Sequence, residues 1–161
     1  MTAVMDNETN AAKEAVFQFI ADFHDAIVTQ SEKRIEEFVG EFKLDFHTKY
    51  ARYYIFGPIA LPGGAIIQQG NVVSDGNRVE IFGNFEISGV CITREDVWQR
   101  YGKLPITGWP MPGIPMSKTY YTATFADSAI DFGFAEKNPD CLRSSAAGIL
   151  NPPPYPFGKP D

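Results

Sequence analysis

The sequence predicts an α+β fold, in which an N-terminal helical hairpin packs on a curved, mainly antiparallel sheet of about five or six strands. Up to residue 50, apolar residues recur at helical spacing. Beyond it, short runs rich in β-branched and aromatic residues alternate with Gly and Pro. Helices that precede the strands, rather than alternating with them, are typical of α+β proteins. We expect one domain over residues 11–150, between a flexible N-terminus (1–10) and a proline-rich tail (151–161).

Two amphipathic helices account for the first 50 residues. The first carries an apolar stripe formed by Val16, Ile20, Phe23 and Ile27. The second begins at Thr29 and Glu32, which are spaced as a capping box, and its stripe continues toward Phe46 and Tyr50. Its polar face is acidic and consists of Glu32, Glu36, Glu37 and Glu41.

The remaining elements are predicted from turn and cap signals. "SDGN" at 74–77 favours a hairpin turn, because Gly and Asn tolerate positive φ, and Gly83 marks a bulge or bend in the return strand. One short helix near 94–101 is capped by Thr93 and ended by Gly102. A second hairpin is predicted over 117–136, and a last short helix over 140–150.

The proline-rich segment "ITGWPMPGIPMS" (106–117) fits neither a helix nor a strand. One interpretation is a preorganised apolar contact loop, because Trp and Met are favoured in interface cores. The alternatives are that Trp109 plugs the open end of the sheet, or that the loop is a lid. The contact residues would be Trp109, Met111, Ile114 and Met116. The tail contains "PPPY" (152–155), which matches the pattern read by WW domains; a tail lying along the domain is the alternative.

The net charge of the chain and its distribution limit the classes of molecule that the protein is expected to bind. The net charge of −6 argues against binding to nucleic acid or to an anionic membrane. Residues 1–50 carry ten acidic and five basic side chains, whereas residues 51–161 carry ten and nine. The acidic face of the second helix therefore predicts a protein partner with a basic surface. The alternative is that these glutamates are the solvated face of an amphipathic helix.

Cysteine usage and the N-terminus predict a cytoplasmic protein. Cys91 and Cys141 form no CxxC motif, and the chain shows neither an export signal nor a transmembrane stretch. Reduced core thiols are therefore expected, with Cys91 packed on a strand, although a disulfide between the two remains an alternative.

Catalytic residues are sparse. If the chain is an enzyme, the candidates are His47, Asp45 and His24, of which His47 and Asp45 are expected at a helix-to-strand junction. Strand alternation places Asp131 on the solvent side. The sequence has no zinc, calcium, phosphate-loop or nucleophile-elbow motif, so we expect no metal and no cofactor.

Two functions follow from these observations. The first is a non-enzymatic protein-binding domain, which resembles in general character the bacterial immunity proteins that inhibit toxins; a homodimer is compatible with it. The alternative is a small-molecule-binding or isomerase-type protein, because helices followed by a bent sheet are similar to cone-shaped folds of the nuclear-transport-factor-2 type. In that case His47 or Asp45 would face a pocket lined by Phe46, Tyr53, Phe85, Tyr121 and Phe132.

Overall fold

A computed structural model describes residues 2–76, 80–109 and 117–150, with side chains from Thr9 onward. The described residues form three helices and one nine-stranded sheet, which confirms the α+β class. The helices are α1 (Thr2–Val28), α2 (Glu32–Val39) and α3 (Arg94–Tyr101). The strands are β1 (Lys43–His47), β2 (Ala51–Phe56), β3 (Ile59–Ala60), β4 (Ile66–Asp75), β5 (Glu80–Ser88), β6 (Ile106–Gly108), β7 (Lys118–Thr124), β8 (Ser128–Ala135) and β9 (Asn138–Ile149).

The sheet has the strand order β1-β2-β4-β5-β9-β8-β7-β6, with β3 paired to β4 beside β2. Every pairing is antiparallel. The sheet is larger than the five or six strands expected, because β1 lies in a segment predicted as helix and β6 in a segment predicted as loop. β9 also replaces the predicted last helix and, although last in the chain, pairs with both β5 and β8 in the middle of the sheet.

Helix α1 covers one face of the sheet. Its apolar stripe of Val16, Ile20, Phe23 and Ile27 is buried in the core, as predicted. Phe23 is fully buried and packs edge-on against Phe85 of β5, with ring centroids 5.0 Å apart. Gly83 is the strand position beneath the helix: a Cβ there would lie 2.7 Å from Phe23 Cζ and 2.9 Å from the Asn71 carbonyl oxygen. Gly83 therefore permits close helix approach and does not mark a bulge; the register shift lies in β4, between Ile67 and Gly70.

Two boundaries of the helical hairpin differ from the sequence prediction. Helix α1 begins at Thr2, nine residues before the apolar periodicity that starts at Ala11. Helix α2 is capped by Ser31, whose hydroxyl accepts a hydrogen bond from the Arg34 N–H. The predicted cap, Thr29, instead donates its hydroxyl to the Ala26 carbonyl oxygen in α1. Helix α2 ends at Val39, before Gly40 with φ of 90°, so the apolar pattern beyond belongs to a strand.

Helix α3 matches its predicted limits. Thr93 and Asp96 form a capping box, and Gly102 follows the last turn. Burial acts to raise the pKa of Asp96, but hydrogen bonds from Thr93 and Lys13 outweigh it and hold that pKa below its ordinary value. The Lys13 ammonium lies 2.9 Å from the Asp96 carboxylate, so this cap also ties α3 to α1.

The two cysteines form a disulfide, which contradicts the expectation of reduced core thiols. Cys91 lies in the exposed loop before α3, not on a strand, and is bonded to Cys141 of β9. The bond joins residues separated by 50 positions. It fixes the start of α3 to the central strand of the sheet.

Several predicted features fall outside the described residues. Of the proline-rich loop, Ile106–Gly108 forms β6, which corrects the prediction of no strand there. Met111, Ile114 and Met116 lie outside the described residues, as do Asn77 of the predicted turn and the "PPPY" tail. No helix within the described ranges is both long and apolar enough to cross a membrane.

Candidate functional site

The three predicted catalytic residues do not come together. Asp45 and His47 lie on β1, not at a helix-to-strand junction, and both are exposed at the outer edge of the sheet. His24 lies on α1, where its Nε2 is 2.7 Å from the Ser128 hydroxyl and its Nδ1 is 3.3 Å from the Asp25 carboxylate. Ser128 is only 4% exposed, so a substrate has no access to this hydroxyl. The contact attaches α1 to β8.

The five aromatic residues predicted to line a pocket are divided between two places. Phe85, Tyr121 and Phe132 are buried in the core beneath α1 and α3. Phe46 and Tyr53 stack on each other on the opposite face, at the β1–β2 pair, with centroids 4.2 Å apart. They therefore do not share one cavity.

The acidic residues of the second helix are less uniform than the sequence suggested. Glu32 forms an ion pair with Arg52 at 2.9 Å, and Glu36 accepts a hydrogen bond from the Phe42 N–H. Glu37 and Glu41 are exposed. Residues 32–52 carry five acidic and five basic side chains, whereas residues 1–31 carry five acidic side chains and one basic one. The acidic excess therefore belongs to the α1 segment.

One edge of the sheet exposes apolar side chains on both of its faces: Phe46 pairs with Tyr53 on the face opposite α1, whereas Leu44 pairs with Tyr54 on the other face and lines a recess with Tyr50. Every residue of β1 is exposed, and Leu44, Phe46 and Tyr50 are each 50–56% accessible. Only three residues separate the end of α2 from β1, so Glu36, Glu37 and Glu41 lie at the same edge. We call these six residues the edge surface. Exposed apolar side chains beside charged ones are a combination found at protein interfaces.

Trp109 lies at the opposite edge of the sheet. It directly follows β6 and is 73% exposed, the highest value among the large apolar side chains described. At about 4.8 Å per strand, the eight-strand row from β1 to β6 spans on the order of 30 Å. The structure thus does not bring Trp109 together with the glutamates of α2.

A polar groove lies on the sheet face opposite α1. It encloses about 280 Å³ and crosses β4, β5, β9 and β7. The polar side chains that line it are Gln69, Asn71, Asn84, Glu86, Lys118, Tyr120 and Ser144. We call this recess the polar groove.

Its charged groups pair closely. The Glu86 carboxylate lies 3.8 Å from Lys118 Nζ and 3.4 Å from Arg143 Nη2. The Asn71 amide donates to the Asn84 side-chain oxygen at 3.2 Å. Burial raises the pKa of the Tyr120 phenol, and the negative charges of Asp131 and Glu86 raise it further. Tyr120 therefore stays neutral well into the alkaline range.

Gly133 of β8 is buried beneath three of these side chains. A Cβ at this position would lie 2.5 Å from Ser144 Oγ, 3.0 Å from Tyr120 Cε1 and 3.2 Å from Lys118 Cδ. The Tyr120 ring and the Lys118 chain therefore lie over backbone, and any larger residue at 133 would displace them.

Sequence reasoning missed the polar groove, although one signal for it was present. Polar residues alternate at Asn84 and Glu86, and again at Lys118 and Tyr120, on the face opposite the core. In the folded sheet the order is β5-β9-β8-β7, and this order places the residues of β5 and β7 around one recess. The sequence by itself does not show this order. Asp131 lies on this same face, as alternation predicts, and accepts a hydrogen bond from Thr122.

The described part of the chain contains no group of three or more His, Cys, Asp or Glu side chains arranged to hold a metal ion. Comparison of the chain with protein-family models, with curated proteins and with solved structures gives no match. Its function must therefore be inferred from the edge surface and the polar groove.

Proposed function

We propose that this protein is a non-enzymatic binding domain that docks a second, basic protein on the edge surface. The observation that carries the proposal is the exposure of Leu44 and Phe46 on the outer strand β1 and of Tyr50 in the turn that follows it. Outer strands in monomeric proteins are usually protected by charge or by a covering element. Three large apolar side chains, each about half exposed, instead favour an interface.

Charge complementarity indicates the chemistry of the partner. Glu36, Glu37 and Glu41 lie at the same edge, at the end of α2, and Glu37 and Glu41 are exposed. Basic side chains on the partner would pair with them, which would accelerate association and select against acidic proteins. Because Glu32 is already paired with Arg52, it contributes less to this attraction. An inhibitor of the immunity-protein kind is one form that such a domain takes.

The experiment uses the full chain with a photo-crosslinking amino acid at Phe46, and separately at Trp109 as the matched position on the other edge. A partner crosslinked from position 46 is then purified, and its association with the wild-type chain is measured as a function of salt. We expect Phe46→Ala to increase the dissociation rate by roughly tenfold or more, as for an interface anchor. Reversal of Glu36, Glu37 and Glu41 to Lys should slow association and flatten its salt dependence.

Three outcomes contradict the proposal. Crosslinks from position 109 and none from position 46 would show that the partner binds at Trp109 and not at the edge surface. Crosslinks from position 46 to a second copy of this chain would make the edge surface a homodimer contact. An association rate that the charge reversal leaves unchanged would exclude the basic partner.

We propose further that the protein works in an oxidising compartment. The sequence showed no export signal, which led us to expect a cytoplasmic location and reduced thiols, whereas disulfides such as Cys91–Cys141 persist mainly outside the cytosol. Alkylation of free thiols in protein taken directly from its source tests this, because a cytosolic protein would react at both cysteines and an oxidised one at neither.

A further inference from the structure

We propose that the polar groove binds a neutral, polyhydroxylated small molecule the size of one sugar ring. This site is separate from the edge surface and does not depend on the proposed protein partner. It lies on β4, β5, β7 and β9, whereas the edge surface lies on α2 and β1 and at Tyr50.

The dimensions of the groove limit the ligand. Sites for drug-sized molecules enclose roughly 300–1,000 Å³. The groove, at about 280 Å³, lies just below that range. A single six-membered ring with its hydroxyl groups therefore fits, and a longer oligosaccharide would have to extend along the open sheet.

The polar side chains of the groove match a ring of hydroxyl groups. Each hydroxyl of a sugar both donates and accepts a hydrogen bond, and a planar side chain with two polar atoms can engage two adjacent hydroxyls. Asn71, Asn84 and Gln69 each provide an amide with a donor and an acceptor. Glu86 adds acceptors, and Lys118 adds donors. These groups come from strands far apart in sequence and meet in one recess.

The local charge favours a neutral ligand over an anion. The Glu86 carboxylate already lies beside two cations, Lys118 and Arg143, and Asp131 accepts a hydrogen bond from Thr122. An anionic ligand would have to displace Glu86 from two cations that already hold it. A cationic ligand would meet Lys118, whose side chain is only 13% exposed. A neutral polyol avoids both conflicts.

One wall of the groove suits the apolar face of a sugar ring. Tyr120 lines the groove, and part of its ring packs on Gly133. Aromatic rings provide a large apolar surface that C–H groups can pack against, while polar groups beside the ring fix the orientation. The buried hydroxyl-bearing Ser144, 6% exposed, lies next to Gly133. The recess therefore combines a stacking surface with polar groups around it.

The test is an NMR titration of the full chain with glucose, galactose and myo-inositol, followed through the side-chain amide signals of Asn71, Asn84 and Gln69. At least one of the three probes should shift these signals in a saturable way. Gln69→Ala should weaken binding by about fivefold, through loss of one or two hydrogen bonds. Gln68→Ala is the matched control, because Gln68 bonds to Ser88 outside the groove and should leave binding unchanged.

A second variant keeps the result interpretable if the amide changes prove subtle. Gly133→Ala should abolish saturable binding, because its methyl group would displace Tyr120, Ser144 and Lys118, which line the groove. Inorganic phosphate serves as the anionic probe. Saturable shifts with phosphate and none with the sugars would overturn the proposal. So would equal weakening by Gln68→Ala and Gln69→Ala, binding retained in a folded Gly133→Ala protein, or no saturable shift with any probe.

Discussion

The two faces of the sheet carry different chemistry at neighbouring positions of the same strand. On β5, Phe85 points toward α1 and is 1% exposed, whereas Asn84 and Glu86 on either side of it point into the polar groove. Glycine shows the same division: Gly83 allows a helix to approach, and Gly133 allows Tyr120, Ser144 and Lys118 to pack on the strand on the groove side. The difference teaches that stability and recognition can be assigned to opposite sides of one strand by alternation alone. Substitutions on the two faces should therefore have separable effects.

The largest expected effect is on the covered face. Phe85→Ala should lower the free energy of unfolding by about 3–5 kcal/mol, because it removes a ring that packs against Phe19 and Phe23 and leaves a cavity. Denaturant unfolding followed by circular dichroism measures this. A loss below about 1 kcal/mol would mean that the core rearranges to fill the space, and that the covered face is less tightly packed than described.

Loss of the disulfide is expected to have the next largest effect on stability. This bond attaches the loop before α3 to β9, a strand that contributes to both faces of the sheet. Its reduction, or the double change Cys91→Ser and Cys141→Ser, should cost about 2–4 kcal/mol, because a long loop in the unfolded chain is no longer closed. The free energy of unfolding is measured by denaturant titration of the oxidised protein and of the reduced protein under the same conditions, and the two values are compared. Unchanged stability on reduction would show that the β9 attachment of α3 does not depend on this bond.

The glycine pair gives the sharpest matched comparison between the faces. Gly83→Ala should cost about 1–3 kcal/mol, because its Cβ would meet the Asn71 backbone and the locked Phe23 ring. Gly133→Ala should cost less, about 1 kcal/mol, because its close neighbours are all side-chain atoms that must shift, whereas Gly83 also meets backbone. Equal losses at the two positions would contradict the assignment of one face to the core and the other to a recess.

The smallest expected effect is on the pH dependence of folding stability, through Tyr120 on the groove side of the sheet. Because burial and the nearby carboxylates raise the pKa of Tyr120 in the folded state, its neutral form contributes stability at pH values below about 10. That contribution is lost as the pH rises through the folded pKa. Tyr120→Phe should therefore flatten the fall in stability between about pH 9 and 11.

The sequence predicted the elements that its own local signals define. The stripe of Val16, Ile20, Phe23 and Ile27 located the core face of α1, and the Thr93 cap located α3. The "SDGN" signal placed the hairpin of β4 and β5. These predictions rest on interactions within a few residues, which a single sequence displays directly.

The elements that were missed depend on distant pairing. Residues 140–150 contain Ser, Ala and Gly, which favour no strand by themselves, and they form β9 because β5 and β8 pair with both of its edges. The Cys91–Cys141 bond likewise needs β9 to lie beside the loop before α3. The polar groove was out of reach for the same reason, since its side chains meet only once the strand order is known.

The most direct test of the division between the faces is the unfolding free energy of Asn84→Ala, measured beside that of its neighbour Phe85→Ala. If the face opposite α1 is open for binding, Asn84→Ala changes the free energy of unfolding by less than about 0.5 kcal/mol. A loss of several kcal/mol at Asn84, comparable to that at Phe85, would show that this face is packed as a second core, and the groove could then hold no ligand.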